Sequence, residues 1–338
     1  MSWKKRNNRQ IATWLFFVCA MIFCMVIVGG VTRLTESGLS MVDWKPVTGI
    51  LPPLSEAQWD REFTAYQQYP EYQKVNRGMS LAEFKGIYYW EYSHRLLGRL
   101  IGLAFFIPFV IFLLKRKVSA DLKPKLWVMF ILGGAQGLLG WWMVKSGLVD
   151  HPDVSHYRLT AHLGLAVLIY LYIFWVASGL VMARCERTRK RPVGLTVLLT
   201  GLIFLQILLG GLVAGLNAGM IYNTWPLMDG QLIPAGLYSV PPWYMNMFEN
   251  IMTVQFNHRM LAYGIVLLGV YVWLDMRKDS HINVRLAGHL LLLVILGQVA
   301  LGVLTLIHVV PIPLAAAHQA GALMTLSAAL FALRRIKV

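Results

Sequence analysis

Residues 91–95, Glu91-Tyr92-Ser93-His94-Arg95, stand at the head of an apolar run that continues to Leu114 and stops at Lys115-Arg116-Lys117. A segment of this length and polarity, polar at one end and basic at the other, is long enough to cross a bilayer as a helix. A histidine and a glutamate at its polar end would be costly inside lipid, so they mark a site. Seven further stretches read the same way, giving spans at about 11–33, 90–114, 126–146, 159–183, 194–215, 252–274, 286–308 and 314–333. With 57% hydrophobic and 14% charged residues, the chain cannot cover a water-facing surface. The expected fold is all-α and polytopic, with eight transmembrane helices arranged as two pseudo-repeated four-helix bundles.

The net charge of +15 is a topology signal and not a nucleic-acid footprint. Basic clusters at Lys4–Arg9, Lys115–Lys125, Arg184–Arg191, Arg277–Arg285 and Arg334–Lys337 all fall on one side if the spans alternate. The positive-inside rule makes that side, and both termini, cytoplasmic. The first span has no small-residue cleavage pattern, and only a few residues precede it. It therefore reads as a retained helix in a bacterial plasma membrane. Cys19 and Cys24 lie in the first span and Cys185 in a cytoplasmic loop, so no external disulfide is expected. The long external segment 34–89, with a helix starting behind Ser55, and the Pro/Trp/Met-rich connection 216–250 read as lids on the membrane face.

The basic segment 184–193 is expected to link an N-terminal half, 1–183, to a C-terminal half, 194–338. Gly29-Gly30 and Gly210-Gly211 close the first helix of each half, and Trp44-Lys45-Pro46 and Trp225-Pro226 follow in the external loops. Gln136 to Gly140, Gln206 to Gly210 and Gln298 to Gly302 share one spacing. Such glycines admit a flat ligand or a neighbouring backbone, and ordinary helix packing accounts for them equally well.

Four histidines form two matched pairs, His94 with His162 and His258 with His318. Each stands 16–22 residues before a cytoplasmic basic flank, roughly 24–33 Å along a helix, which places all four at one height toward the outer leaflet. Two neutral imidazoles facing across a bundle suit heme iron with two axial ligands. Copper and zinc fit less well, because no cysteine or carboxylate set completes a shell. A lone intramembrane histidine is more often a hydrogen-bonded core residue, but four at matched depth argue for ligands. His308, His151 and His156 are alternative ligands, whereas His281 and His289 lie on the wrong side. Arg95 and Arg259 follow the first histidine of each pair. They offer forked donors for heme propionates, the alternative being contact with lipid headgroups. The halves differ where it matters: Glu91 corresponds to Gln255, and only a carboxylate moves protons or stabilises positive charge. The first half therefore reads as the chemical site and the second as a fixed electron carrier.

These residues resemble the heme A synthase family. The resemblance spans nearly the whole chain: Gly29-Gly30-Val31-Thr32-Arg33-Leu34-Thr35 running into Ser37-Gly38-Leu39-Ser40, Trp44-x-Pro46 through Pro52-Pro53, Glu91-x-x-His94-Arg95, His162, Asn257-His258-Arg259 and His318. It implies oxidation of a ring methyl of heme O, through alcohol steps, to the formyl group of heme A for cytochrome oxidase assembly. It also implies a resident heme b at His258 and His318, substrate heme at His94 and His162, and Glu91 as the acidic residue required for turnover. Heme O synthase is the implied upstream partner, and an electron donor must exist. Some branches of the family carry a cysteine pair in external loops; this chain has none, as in the proteobacterial and mitochondrial branch. The principal rival is a bis-histidine diheme b cytochrome passing electrons from quinol. A transporter would need broken helices or midplane charges, which are not evident.

Overall fold

The computed structural model describes residues 3–43, 50–147, 153–182 and 193–336. The motif Trp44-Lys45-Pro46, His151, Cys185, the 184–191 basic cluster and Lys337 lie outside the described residues. Among those described, the architecture is helical, with a single isolated bridge between Met228 and Gln231. Eight helices are long and apolar enough to span a membrane: α1 (Trp3–Leu34), α4 (Leu81–Leu114), α5 (Lys123–Gly147), α6 (His156–Val181), α7 (Val193–Gly215), α9 (Ile251–Met276), α10 (Ile282–Ile307) and α11 (Ile312–Ile336). Short helices α2 (Glu56–Tyr66) and α3 (Pro70–Lys74) occupy the segment between α1 and α4, and α8 (Asn246–Glu249) precedes α9.

Outward-facing residues carry the membrane signature. On α4, Leu100, Leu103, Phe106, Ile107, Ile111 and Leu114 are exposed, and on α5 so are Trp127, Val128, Ile131 and Leu138. A water-soluble chain would aggregate through such faces, whereas in a bilayer lipid tails cover them. Pro108 sits inside α4, a position a spanning helix tolerates because neighbouring groups satisfy the freed carbonyl.

The chain forms two compact units, Ala20–Ala166 and Met1–Cys19 with Val167–Val338, dividing within α1 and α6. In the second unit, α7, α9, α10 and α11 pack as neighbours around a ring, α7 on α9, α9 on α10, α10 on α11 and α11 on α7. That order sets α9 and α11 on a diagonal. The amino-terminal stretch of α1 packs there on α6: Phe16 meets Phe174 edge-on at 5.7 Å, and the Cys19 thiol donates to the Tyr170 carbonyl. Arg334 stacks on Trp175 at 3.6 Å and donates to its carbonyl, holding the end of α11 to α6.

In the first unit, α4 begins nine residues before its expected start. Ser80 caps it, accepting from the Glu83 amide while Glu83 accepts the Ser80 amide at 2.8 Å. The added turns carry Phe84 and Tyr88, which pack with Trp59 and Tyr66 of α2 into a small aromatic core over the N-terminal end of α4. Helix α2 itself starts behind Ser55, with Gln58 accepting the Ser55 amide, as expected from sequence. The segment between α1 and α4 is therefore a folded cap with its own buried side chains.

Candidate functional site

Glu91 lies on α4 with only 2% of its surface exposed. Its Oε2 accepts from the Ser40 hydroxyl at 2.8 Å and from the Met41 amide at 2.7 Å, and its Oε1 pairs with Arg95 at 2.5 Å. Arg95 in turn donates to the carbonyls of Met41 at 2.8 Å and Asp43 at 3.1 Å. The carboxylate thus organises the loop that leaves α1, and both of its oxygens are engaged. Beside this loop, a cavity of about 510 Å³ is lined in part by Pro52, Pro53, Arg61, Tyr88, Arg95 and Arg99.

The equivalent position on α9 repeats this plan with neutral chemistry. Gln255, 3% exposed, donates through Nε2 to the carbonyls of Ala218 and Ile221 at 3.0 and 2.7 Å. Arg259 donates to the carbonyls of Tyr222 and Thr224 at 2.5 and 2.8 Å. Each arginine therefore grips two carbonyls two residues apart, and Met41 and Tyr222 each stand twelve residues beyond the glycine, Gly29 or Gly210, of the preceding helix. Arginines read from sequence as propionate donors are in both cases also loop clamps. Arg259 keeps its buried Nε without a partner among the described residues.

The glycines explain where the histidines sit. A Cβ at Gly140 would lie 2.9 Å from His162 Cε1, at Gly302 2.8 Å from His318 Cε1, at Gly210 3.4 Å from His258 Cε1, and at Gly29 3.0 Å from His94 Nε2. Each imidazole lies against the glycine of the neighbouring helix; a Cβ would crowd the ring at Gly29, Gly140 and Gly302 and would be in ordinary contact with it at Gly210. Glutamines one turn away complete the arrangement. Gln136, Gln206 and Gln298 donate to the main-chain carbonyls of His162, His258 and His318 at 3.0, 2.9 and 2.9 Å. The Gln136 and Gln206 amide nitrogens also approach Nδ1 of their histidines at 3.2 Å. The sequence contained this spacing without distinguishing ligand support from helix packing.

His94 and His162 fall in one unit and His258 and His318 in the other, each ring against the glycine of the helix beside it. The other histidines play local parts. His308 ends α10 with Nδ1 2.9 Å from the Leu304 carbonyl, His281 precedes α10, and His289 accepts from the Trp273 indole at 2.9 Å. His156 begins α6, where its ring lies against that of Tyr157. No group of three or more His, Cys, Asp or Glu side chains able to hold a metal ion occurs among the described residues.

Sequence reasoning missed two features. One is the Ser40 and Met41 contact with Glu91, for which the nearby Ser37-Gly38-Leu39-Ser40 run was the available signal. The other is Glu71, 5% exposed in α3, which accepts from the Tyr66 hydroxyl at 2.9 Å while Asn76 donates to that hydroxyl at 2.8 Å. Burial pushes the Glu71 carboxyl up to about 8 and raises the Tyr66 phenol as well.

Residues 12–330 match the family described as "Cytochrome oxidase assembly protein" (COX15-CtaA). A protein of Nitrosospira multiformis named heme A synthase is 53% identical over 329 residues, covering 96% of this chain and 92% of its own length. Proteins of the same name from Parvibaculum lavamentivorans and Nitrosomonas eutropha are 52% and 51% identical, each covering 98% of this chain and 95% of its own. With matches of this extent, the chain belongs to the COX15-CtaA family of cytochrome oxidase assembly proteins.

Proposed function

We propose that this multi-pass membrane protein is a heme A synthase, an oxidoreductase that converts the ring methyl of heme O to the formyl group of heme A. The relatives named above support the activity, and the contrast between Glu91 and Gln255 carries the assignment of roles. Both side chains stand three residues before a histidine, both are buried, and both hold the loop from the preceding helix. Only Glu91 brings a negative charge. The N-terminal half, residues 1–183, is accordingly the substrate half, with heme O between His94 and His162 and Glu91 as the catalytic acid. The C-terminal half, residues 194–338, is a pseudo-repeat holding a resident heme b through His258 and His318. The basic segment 184–193 links the two.

The residues of the second half fit a bound heme. The two histidines stand on the diagonal helices α9 and α11, each against a glycine of the helix beside it. Buried His318 Nδ1, Gln206 Oε1, Gln298 Oε1 and Arg259 Nε have no hydrogen-bond partner among the described residues. Orphaned polar atoms are costly in a lipid-embedded bundle and are expected where a polar-edged ligand belongs. Heme b, once bound, supplies reversible one-electron transfer. Arg259 anchors its loop and keeps a buried Nε that would suit an anionic edge of the ligand; Arg95, the matching residue of the first half, clamps the loop beside the substrate site.

Turning the substrate methyl into a formyl group, by way of an alcohol, adds one oxygen atom from water or dioxygen and removes four electrons in all; with water as the source, R–CH3 + H2O gives R–CHO with four protons that must leave with those electrons. Glu91 is placed to take such a proton or to stabilise positive charge at the methyl carbon. Ser40, the Met41 amide and Arg95 hold its two oxygens in one orientation, so little reorganisation is needed during turnover. The membrane is the bacterial plasma membrane, with both termini cytoplasmic and both histidine pairs toward the outer leaflet. Heme O synthase is the upstream supplier.

The test is heme extraction from cells expressing Glu91→Gln. Heme O should accumulate and heme A should fall by at least about 100-fold, in keeping with the loss of an acid–base group. Heme A at the normal level would remove Glu91 from catalysis, and heme b as the sole heme in the wild type would favour an electron carrier.

A further inference from the structure

Three of the four histidines share a device that the fourth lacks. Gln136, Gln206 and Gln298 each precede the contacting glycine by four residues and donate to the carbonyl of the histidine that glycine receives. On α1, the residue four before Gly29 is Met25. A thioether cannot donate, and among the described residues no side chain donates a hydrogen bond to His94. The substitution is accommodated: the Met25 methyl lies 3.4 Å from where a Cβ on Gly98 would be, and Gly98 is one turn beyond His94. The corresponding residues beyond the other histidines are Ala166, Ala262 and Ala322. Opposite Gln298, Gly321 leaves the space its amide fills.

The ring orientations differ in the same sense. Gly140, Gly210 and Gly302 each meet Cε1 of their histidine, whereas Gly29 meets Nε2 of His94. At Gly29 the ring atom nearest the Cβ position is thus a nitrogen able to coordinate, at 3.0 Å, against a ring carbon at the other three glycines. Two independent observations, the missing amide and the ring nitrogen at Gly29, single out the same residue, and it is the one that shares a helix with Glu91.

We infer that Gln136, Gln206 and Gln298 are positioning residues that fix His162, His258 and His318 as ligands, and that Met25 leaves His94 as the one histidine able to release the substrate heme iron. This rests on reading the two pairs as heme sites. It makes the His94 side the open, reactive face of heme O, next to Glu91. The resident heme stays closed on both faces, as an electron carrier requires, because both of its ligands are braced.

Carbon monoxide competition tests this without turnover. The purified full-length protein, carrying its resident heme and loaded with heme O, is reduced and titrated with carbon monoxide while the heme spectrum is followed. In the wild type, heme O should bind carbon monoxide and the resident heme should not. Met25→Gln should lower carbon monoxide affinity at heme O by about tenfold, the worth of one added hydrogen bond. Gln206→Met, or Gln298→Met if the first fails to fold, should open the resident heme to carbon monoxide. Affinity unchanged within about twofold in Met25→Gln, or a resident heme still closed in the glutamine variant, would overturn the inference. Failure of the underlying reading looks different: the heme O spectrum would then be indifferent to both His94→Ala and His162→Ala.

Discussion

At the scale of single residues, burial sets what each acid can do. Glu91 is a buried charge paired with Arg95, and removing one member of such a pair costs on the order of 3 kcal/mol or more. Glu91→Ala should therefore loosen the 37–43 loop, seen as faster proteolysis there. Glu91→Gln keeps an oxygen for the Met41 amide and should leave the loop folded while stopping conversion. Glu71 behaves oppositely. Its carboxyl is raised from 4.5 to about 8, so the folded cap binds a proton more tightly than the unfolded one. The stability this confers is complete below about pH 4.5 and is lost as pH rises through about 8, on the order of 1–3 kcal/mol in all. Limited proteolysis of the external cap between pH 5 and pH 9 should show protection falling, and Glu71→Gln should flatten the profile. Glu91 was legible in the sequence from its register with His94; Glu71 was not, because nothing local tells a buried surface-loop glutamate from a solvated one.

At the scale of helices, the histidines are placed by what faces them. Gly302→Ala would bring a methyl within 2.8 Å of His318 Cε1 between tightly packed helices, whereas Gly210→Ala meets His258 at 3.4 Å. Overpacking of the first kind costs about 1–3 kcal/mol and moves the ring. Gly302→Ala should lose most of its bound heme and Gly210→Ala should retain it, measured as heme per protein in purified samples. All eight spanning helices were legible from hydropathy, with ends within a few residues at most termini. The exceptions are instructive. Helix α4 gains its extra turns from a Ser80–Glu83 capping box and from packing against α2, and α1 runs back to Trp3 through basic residues that hydropathy alone does not count.

At the scale of the whole molecule, charge fixes orientation where packing cannot. A periplasm-active reporter fused after Val338 should stay inactive and a cytoplasm-active one should report, because the five basic clusters favour one face. The reverse pattern would invert the placement of both histidine pairs.

The sequence by itself determined the membrane class, the number of spans and the family, because hydropathy, charge and motifs are properties of residue types at fixed spacings. Only the tertiary structure decided that the glycines are histidine seats, that Arg95 and Arg259 clamp loops, that Ser40 and Met41 hold Glu91, and that His94 lacks the glutamine brace. Each of these depends on which helix or loop lies opposite, and a contact between residues far apart in the chain leaves no periodicity to read.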